Sequence, residues 1–206
     1  MTEHSYHHGD LRNALIDKGI ELINQEGIEK LTLRKVASMC SVSQAAPYSH
    51  FKNKEDLLLA MQEYVTNQFM NVLNKSVSSC TDPNDPCMLI QLGKAYVMFF
   101  IRYPQYFSFL FSQSMITVDL TLDSDQKDNF PPFELLKKIA FQVFGENSMS
   151  REQMQDMIIS LWATVHGLAS IATMKNVRYD KDWDTKIEDI IWNKMQSNGE
   201  ESHEKK

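Results

Sequence analysis

The sequence predicts an all-α fold. Apolar residues recur at helical spacing along almost the whole chain, and the Val/Ile/Thr alternation typical of strands is missing. No internal repeat or low-complexity tract suggests a solenoid. A chain of 206 residues with 43% hydrophobic content is long enough to bury a core. We therefore expect a small N-terminal helical domain followed by a larger helical domain.

Three short elements are predicted at the start of the chain. Asp10 is a suitable N-cap for the first helix, and Gly27 lies where a left-handed residue would end it. Thr32 would cap a second, short helix. After a turn, another short helix is expected over 43–48, because Pro47 is tolerated only within the first turn of a helix. This arrangement is a helix-turn-helix.

A long helix should follow, with Asn53 as its cap and the turn cluster 82–86 as its end. Later helices are predicted around Leu89–Arg102, through Phe111, from Pro131 to Phe144, after the capping box Ser150-x-x-Gln153, and from Trp183 to Gln196. We place a helix-turn-helix domain at 1–53, a helical regulatory and dimerisation domain at 54–197, and a disordered tail at 198–206.

Positive charge is concentrated in one short segment. Residues 28–54 carry five basic side chains against Glu29 alone, whereas the whole chain has a formal net charge of -6. Such polarity would attract phosphate to one face and repel it elsewhere. An ordinary solvated face is the alternative interpretation.

Cysteine usage and hydropathy indicate a protein of the cytoplasm. Cys40, Cys80 and Cys87 have no metal-ligand spacing. Cys80 and Cys87 could oxidise across a short loop, although two free thiols is the favoured interpretation. No apolar stretch is long enough for a membrane span, and no signal peptide is evident at the N-terminus.

An acidic loop is expected over 117–129, with four aspartates at 119, 123, 125 and 128. Calcium binding is conceivable there, but the spacing does not match an EF-hand, so we favour a solvated, mobile loop. We predict no metal site and no cofactor.

Several stretches resemble one known family. The run Thr32-Leu33-Arg34-Lys35-Val36-Ala37, and above all Tyr48-x-His50-Phe51-x-Asn53-Lys54, resemble the TetR family of regulators over about the first 60 residues. Tyr6-His7-His8-Gly9-Asp10-Leu11-Arg12 looks like a subgroup of that family, and Trp162-Ala163-Thr164-Val165-His166-Gly167-Leu168 like its regulatory domain. Ser41 departs from the usual glycine of the turn, at a cost of roughly 1 kcal/mol.

The resemblance implies roles for ten residues in binding double-stranded DNA. Phosphate contacts are implied for Thr32, Tyr48, His50, Lys52 and Lys54, and base-edge contacts for Arg34, Gln44, Ala45 and Ala46, with Ser43 in the same interface. The chemistry agrees, because hydroxyls and amines donate to phosphate, glutamine pairs with adenine and an alanine methyl can contact thymine. Ordinary packing is the alternative for Tyr48.

A ligand pocket is suggested by an unusually aromatic span, 96–111. We expect the pocket to be lined by some of six side chains: Tyr96, Phe99, Tyr103, Phe107, Trp162 and His166. The alternative is a large helical core. For His166, a satisfied core histidine and a ligand contact stay open.

A homodimer is suggested by the last two helices. Ala163, Gly167 and Ser170 form a strip of small residues, and Ile187 and Ile191 lie on the apolar face of the final helix. Pairing of these helices with their symmetry mates in a four-helix bundle would cover both features. The family resemblance implies the same arrangement.

The sequence thus predicts a DNA-binding transcription regulator, a repressor that a small-molecule effector releases from a near-palindromic operator. An enzyme is disfavoured, because GxSxG, HExxH and a phosphate-binding glycine loop are missing and the chain has only 7 glycines. A second alternative keeps DNA binding without a ligand, as in a regulator controlled by protein partners or an architectural binder.

Overall fold

The computed structural model describes residues 8–82, 84–112, 116–122, 129–145 and 149–200, and every regular element in these ranges is helical. The prediction of an all-α fold is confirmed. The α-helices are α1 (His8–Glu26), α2 (Leu33–Met39), α3 (Lys54–Val77), α4 (Cys87–Arg102), α5 (Pro104–Ser112), α6 (Pro131–Phe144), α7 (Arg151–Thr173) and α8 (Trp183–Glu200). Two short 3-10 helices, Ile28–Lys30 and Ala46–Ser49, precede α3.

The chain divides into two compact units. The first contains the described residues of Met1–Asn67 and Ser108–Met115, and the second those of Gln68–Phe107 and Ile116–Lys206. The division falls within α3, whereas the sequence boundary was placed at the start of that helix.

The first unit is built on a continuous apolar interior. Its fully or nearly fully buried side chains include Leu15, Ile16, Ile20 and Ile23 of α1, Val36 and Ala37 of α2, Phe51, and Leu57, Met61 and Val65 of α3. The short helix α2 has too few residues to be stable alone, so its packing on α1 holds it in place.

The ends of the helices follow capping chemistry. The Thr32 hydroxyl oxygen accepts from the Lys35 N–H at 3.1 Å, and Asn53 Oδ1 accepts from the Asp56 N–H at 2.8 Å, as predicted. Gly27 ends α1 with φ 90° and ψ 162°, a region that is nearly restricted to glycine. The expectation that Asp10 caps α1 is wrong, because the helix already begins at His8.

The turn after α2 is a Schellman motif with serine in the position that usually holds glycine. Ser41 has φ 57°, its N–H donates to Ser38 O at 3.1 Å, and the Val42 N–H donates to Ala37 O at 3.1 Å. The left-handed conformation predicted for Ser41 is thus observed. The two hydrogen bonds satisfy carbonyls that the end of α2 would otherwise leave open.

The second short helix begins later than predicted and is a 3-10 helix. It covers Ala46–Ser49, whereas the sequence placed an α-helix over 43–48. Pro47 is the reason, because it has no N–H to donate to the Ser43 carbonyl and so removes the first α-helical bond. The backbone instead closes with bonds from Ala46 N–H to Ser43 O at 3.0 Å and from Tyr48 N–H to Ala45 O at 3.1 Å.

The second unit is organised around α4, which packs on α6, α7 and α8. Gly93 allows the close approach, since a Cβ atom there would lie 2.5 Å from Ile191 Cδ1 and 3.0 Å from Val165 Cγ1. At the next residue, Lys94 Nζ lies 2.6 Å from Asp184 and 3.4 Å from Glu188, which joins α4 to α8.

Most of the later boundaries agree with the sequence. Gly145 closes α6 with φ 74°, and Ser150 with Gln153 forms the predicted capping box of α7. The end of α8 differs, because the helix continues to Glu200, so the segment expected to be a tail from 198 begins inside it. Residues 201–206 lie outside the described part of the chain.

The described ends of the acidic loop are hydrogen-bonded to each other. The Asp119 N–H donates to Asn129 Oδ1 at 2.8 Å, and Asn129 is itself 6% exposed. The buried amine of Lys137 donates to the Thr121 carbonyl and pairs with Glu134 at 2.6 Å. Asp123, Asp125 and Asp128 lie outside the described residues, so the solvated, mobile loop without a metal site stays a prediction.

Within the described ranges, α7 is the one helix whose length and composition would allow it to cross a membrane. Core helices of globular proteins pass the same test. One side of α7 packs in the second unit through Met154, Met157, Leu161 and Val165, which is the ordinary role of such a helix.

The strain at Ser41 can be measured. Ser41→Gly should raise the free energy of unfolding relative to Ser43→Gly by about 1 kcal/mol, because only position 41 has a positive φ while both substitutions loosen the unfolded chain equally. The two serines are exposed neighbours in the same turn, so each is the control for the other. Equal urea midpoints for the two variants would contradict this account.

Candidate nucleic-acid interface

The segment 43–52 has one buried side and one exposed side. Pro47 and Phe51 are buried, and the 3-10 helix that contains Pro47 packs on α2. Exposed residues of this segment include Ser43, Gln44, Ala45, Tyr48 and Lys52, with Tyr48 54% exposed although it is a large aromatic residue. Ordinary core packing therefore does not explain Tyr48.

The start of α2 adds donors to this surface. Thr32 is exposed, and because its oxygen accepts from Lys35, the hydroxyl hydrogen is still able to donate. Arg34 is also exposed. Backbone N–H groups of the first turn are a further source of attraction for an anion at this end of α2.

Three of the predicted residues are more enclosed than the others. Ala46 and His50 are half-buried, and the His50 ring lies 6.2 Å from that of Phe51. Lys54 is half-buried because its Nζ donates to the Ile28 carbonyl at 2.8 Å, which joins the start of α3 to the first 3-10 helix. Lys54 therefore has a structural role whether or not it meets phosphate.

The charge of this surface differs in detail from the sequence count. Lys35 pairs with Glu26, which lies outside the counted segment, at 2.5 Å. Conversely, the guanidinium of Arg12 in α1 lies 5.5 Å from the centre of the Phe51 ring. The sequence predicted no role for Arg12. The only signal for such a role was the resemblance of residues 6–12 to a subgroup of the family.

The second unit contains a narrow cavity that opens to solvent. Its lining is Leu73, Leu89, Leu92, Gly93, Tyr96, Pro132, Leu136, Leu161, Trp162, Val165 and Ile191. Of the six side chains predicted for a pocket, Tyr96 and Trp162 belong to this lining. The aliphatic residues were missed because their spacing is the same as that of ordinary core positions.

The other predicted pocket residues form an aromatic cluster behind Tyr96. Phe99 stacks on Phe69 at 4.7 Å between ring centres, and Tyr103 lies 5.3 Å from Phe99. Phe107 lies 5.1 Å from the His166 ring. Much of the aromatic span is therefore hydrophobic core, as the alternative interpretation held.

Buried Tyr96 and half-buried His166 form a polar pair. The Tyr96 hydroxyl lies 3.2 Å from His166 Nδ1. Burial raises the pKa of Tyr96 well above its usual value and lowers the pKa of His166, so both groups are neutral near pH 7. The hydrogen bond with Tyr96 gives one nitrogen of His166 a partner, and a ligand contact of His166 stays a prediction.

The predicted dimer surface needs a correction. Ile187 and Ile191 are 0% and 1% exposed, and Ile191 packs against Gly93 within the same chain. They cannot provide a surface for a partner, so their assignment to the interface is wrong. On α7, by contrast, Ala163 is exposed, and no heavy atom lies within 4 Å of a Cβ built on Gly167.

Comparisons with known proteins agree with this geometry. Residues 15–61 match the family described as bacterial regulatory proteins of the tetR family. The class C tetracycline repressor of Escherichia coli is 40% identical over 74 residues, which are 36% of this chain and 32% of the repressor. The class G tetracycline repressor of Vibrio anguillarum is 44% identical over 52 residues, 25% of each chain. The N-terminal segment of the chain is thus similar to this family.

The likeness of fold extends over nearly the whole chain. A regulatory protein of the tetR family from Rhodococcus RHA1 superimposes with a TM-score of 0.63 and 14% sequence identity, covering 90% of this chain and 95% of that one. The matches in sequence cover about a third or less of the two tetracycline repressors. The two tetracycline repressors are named as repressors rather than enzymes. The resemblance of residues 162–168 to the regulatory domain of a subgroup stays a prediction.

The buried state of His166 predicts a dependence of stability on pH. Because its pKa is lower in the folded chain than in the unfolded chain, the unfolded chain binds a proton first as the pH falls. The free energy of unfolding should therefore decrease as the pH drops through the usual histidine range, and His166→Gln should lose part of this decrease.

Chemical unfolding from pH 7.5 down to about pH 5 measures this effect. Tyr96→Phe is the matched control, since it removes the hydrogen bond but keeps the histidine and its burial, and it should keep the pH dependence. Identical pH profiles for His166→Gln and the unmodified protein would refute this role of burial.

Proposed function

We propose that this chain is a transcription regulator that binds a near-palindromic DNA operator as a homodimer and acts as a repressor in the cytoplasm. The observation that carries the proposal is the exposed row of donors on α2 and on the segment 43–52, above a buried apolar layer. A row of this kind suits the major groove, in which phosphate contacts orient the protein and base contacts select the sequence.

Within this surface we assign different roles to different residues. Thr32, Tyr48 and Lys52 are exposed donors suited to phosphate oxygens, with His50 and Lys54 at the margin. Arg34, Ser43 and Gln44 are the polar candidates for base edges, and the methyl groups of Ala45 and Ala46 suit contact with thymine. We add Arg12 as a candidate phosphate contact on account of its place beside Phe51.

Binding to DNA can be tested by fluorescence anisotropy with oligonucleotides selected from a random pool. Tyr48→Ala and Lys52→Gln should weaken binding to all sequences alike, and Lys52→Gln should lower the slope of log K against log salt by about 1. Gln44→Ala should instead relax the preference at one base pair, a discrimination of roughly 1–3 kcal/mol.

Lys181→Gln is the matched control, because Lys181 is an exposed lysine of the second unit outside this surface. It should leave the affinity and its salt dependence unchanged. Lys54→Ala is less informative, since it also removes the bond to the Ile28 carbonyl and should lower stability. An affinity for duplex DNA that does not respond to salt would refute the proposal.

For the homodimer we propose a contact through α7. Ala163, Gly167 and Ser170 are small residues at helical spacing, and the next exposed apolar side chains along the helix are Ile171 and Met174, at 44% and 53%. Exposed apolar groups and small residues on one helix allow a second copy to approach closely. A two-fold dimer would place two reading segments on successive major grooves, roughly 34 Å apart.

Ala163→Lys should convert the dimer into a monomer, because it would bury a charge against its own symmetry mate. Asn71→Lys, at an exposed position of α3, is the control and should stay dimeric. Sedimentation equilibrium at equal concentrations measures both. A dimeric Ala163→Lys variant would rule out α7 as the contact.

We propose that the cavity of the second unit binds the effector. Its lining is aliphatic and aromatic, and Tyr96 and Trp162 provide the polar atoms among the described residues that line it. A lining without charge favours neutral, apolar compounds, since a buried ion would lack a partner. Leu73 belongs to α3, so a ligand there would touch the same helix that Asn53 caps. To shift the ratio of the DNA-binding state to the non-binding state from 99:1 to 1:99, the ligand must prefer the non-binding state by about 5.5 kcal/mol.

A thermal-shift screen tests the cavity. Neutral apolar compounds should raise the melting temperature, and matched carboxylate or ammonium analogues should raise it much less. The same compounds should weaken the operator complex. If every compound that stabilises the protein leaves its DNA affinity unchanged, the effector proposal is refuted. DNA binding would then be controlled by a protein partner, or the protein would be an architectural binder.

A further inference from the structure

Two thiols meet at the connection between α3 and α4. Cys80 follows the end of α3, and Cys87 is the first residue of α4. Their sulfur atoms lie 3.2 Å apart, and both cysteines are free and half-buried. A disulfide bond is about 2.05 Å long, so the sulfur atoms need to move together by only about 1 Å to form one.

The turn between the two cysteines keeps the thiols in this arrangement without a covalent bond. The Asn84 N–H donates to Asp82 Oδ1 at 2.9 Å, and the Cys87 N–H donates to Asp85 Oδ1 at 2.8 Å. These local bonds are made by the backbone and by aspartate side chains, so oxidation of the thiols leaves them intact. The order of the turn therefore does not depend on a bond between the two sulfur atoms.

Both thiols are accessible to small reagents. The described residues between the cysteines, namely 81, 82 and 84–86, are all exposed, as are the two residues before Cys80. Cys40 is the contrasting case, since it belongs to the first unit and its thiol donates to the Ala14 carbonyl at 3.5 Å.

We propose that Cys80 and Cys87 form a reversible dithiol–disulfide couple that is oxidised by peroxides and joins the end of α3 to the start of α4. The site goes beyond the proposed regulatory function and does not depend on DNA binding.

The chemistry balances with hydrogen peroxide as the oxidant. The Cys87 thiolate attacks one peroxide oxygen, the O–O bond breaks, and the leaving hydroxide takes up the thiol proton to become water. This step gives a sulfenic acid on Cys87. Cys80 sulfur then attacks the sulfenic sulfur, and the S–O oxygen leaves with the Cys80 proton as a second water. The two thiols lose two electrons and two protons, and the peroxide is reduced to two waters.

The order of attack follows from the hydrogen bond between the thiols, in which the Cys80 thiol donates to the Cys87 sulfur at 3.2 Å. Burial, and next the hydrogen bond with Cys87, raise the pKa of Cys80 to about 11, so its thiol is protonated near neutral pH. Cys80 is therefore suited to the second step, in which it resolves the sulfenic acid, and Cys87 to the first.

The test counts thiols in the full-length protein after treatment with one equivalent of hydrogen peroxide. The number of titratable thiols should fall from the three of the sequence to one, without formation of covalent dimers. Peptide mapping should find Cys80 joined to Cys87, and dithiothreitol should restore all three thiols. Cys40 should react at least about tenfold more slowly than this pair.

Three variants sharpen the outcome. Cys80→Ser should stop at the sulfenic acid on Cys87, which dimedone labels, and Cys87→Ser should show little dimedone labelling at position 80. Cys40→Ser is the matched control and should form the disulfide as the unmodified protein does. Three results would overturn the proposal. The Cys40 thiol could be lost first, disulfides could form between chains, or dimedone could label the Cys87→Ser variant but not the Cys80→Ser variant.

Discussion

The contact on which the candidate DNA-binding surface depends is the burial of Pro47 and Phe51 beneath the segment 43–52. The segment contains only one short 3-10 helix, which has little stability of its own. Its apolar side chains must therefore be buried against the rest of the first unit to keep Gln44, Tyr48 and Lys52 outside. The Schellman turn at Ser41 sets the direction in which the chain enters the segment 43–52, at a small cost in backbone strain.

In the second unit, the comparable constraint is the close packing around Gly93. Because Ile191 and Val165 occupy the space that a side chain at position 93 would need, α4 can lie against both α7 and α8. This packing uses the apolar face of α8 inside the chain and leaves part of α7 exposed. The same helices enclose the cavity, whose wall includes Gly93, Val165 and Ile191.

Neutral groups dominate the interior of the second unit near the cavity. Tyr96 and His166 satisfy each other by one hydrogen bond, and burial disfavours the charged form of each. An interior of this kind is suited to contacts with apolar surface rather than with charge. The thiol pair at the α3–α4 connection is chemically separate from the cavity and would respond to an oxidant rather than to a bound compound.

The sequence by itself determined the helical class, most of the caps and the residue types of the candidate DNA-binding surface. Thr32, Asn53 and Ser41 were predicted correctly because caps and turns depend on bonds within a few residues. The tertiary structure decided which apolar faces meet inside one chain. Helical spacing marks Ile187 and Ile191 as apolar but does not say what covers them, and only packing against α4 shows that they are core. For the same reason the cavity wall and the approach of Cys80 to Cys87 emerged from the fold, since both depend on contacts between different helices.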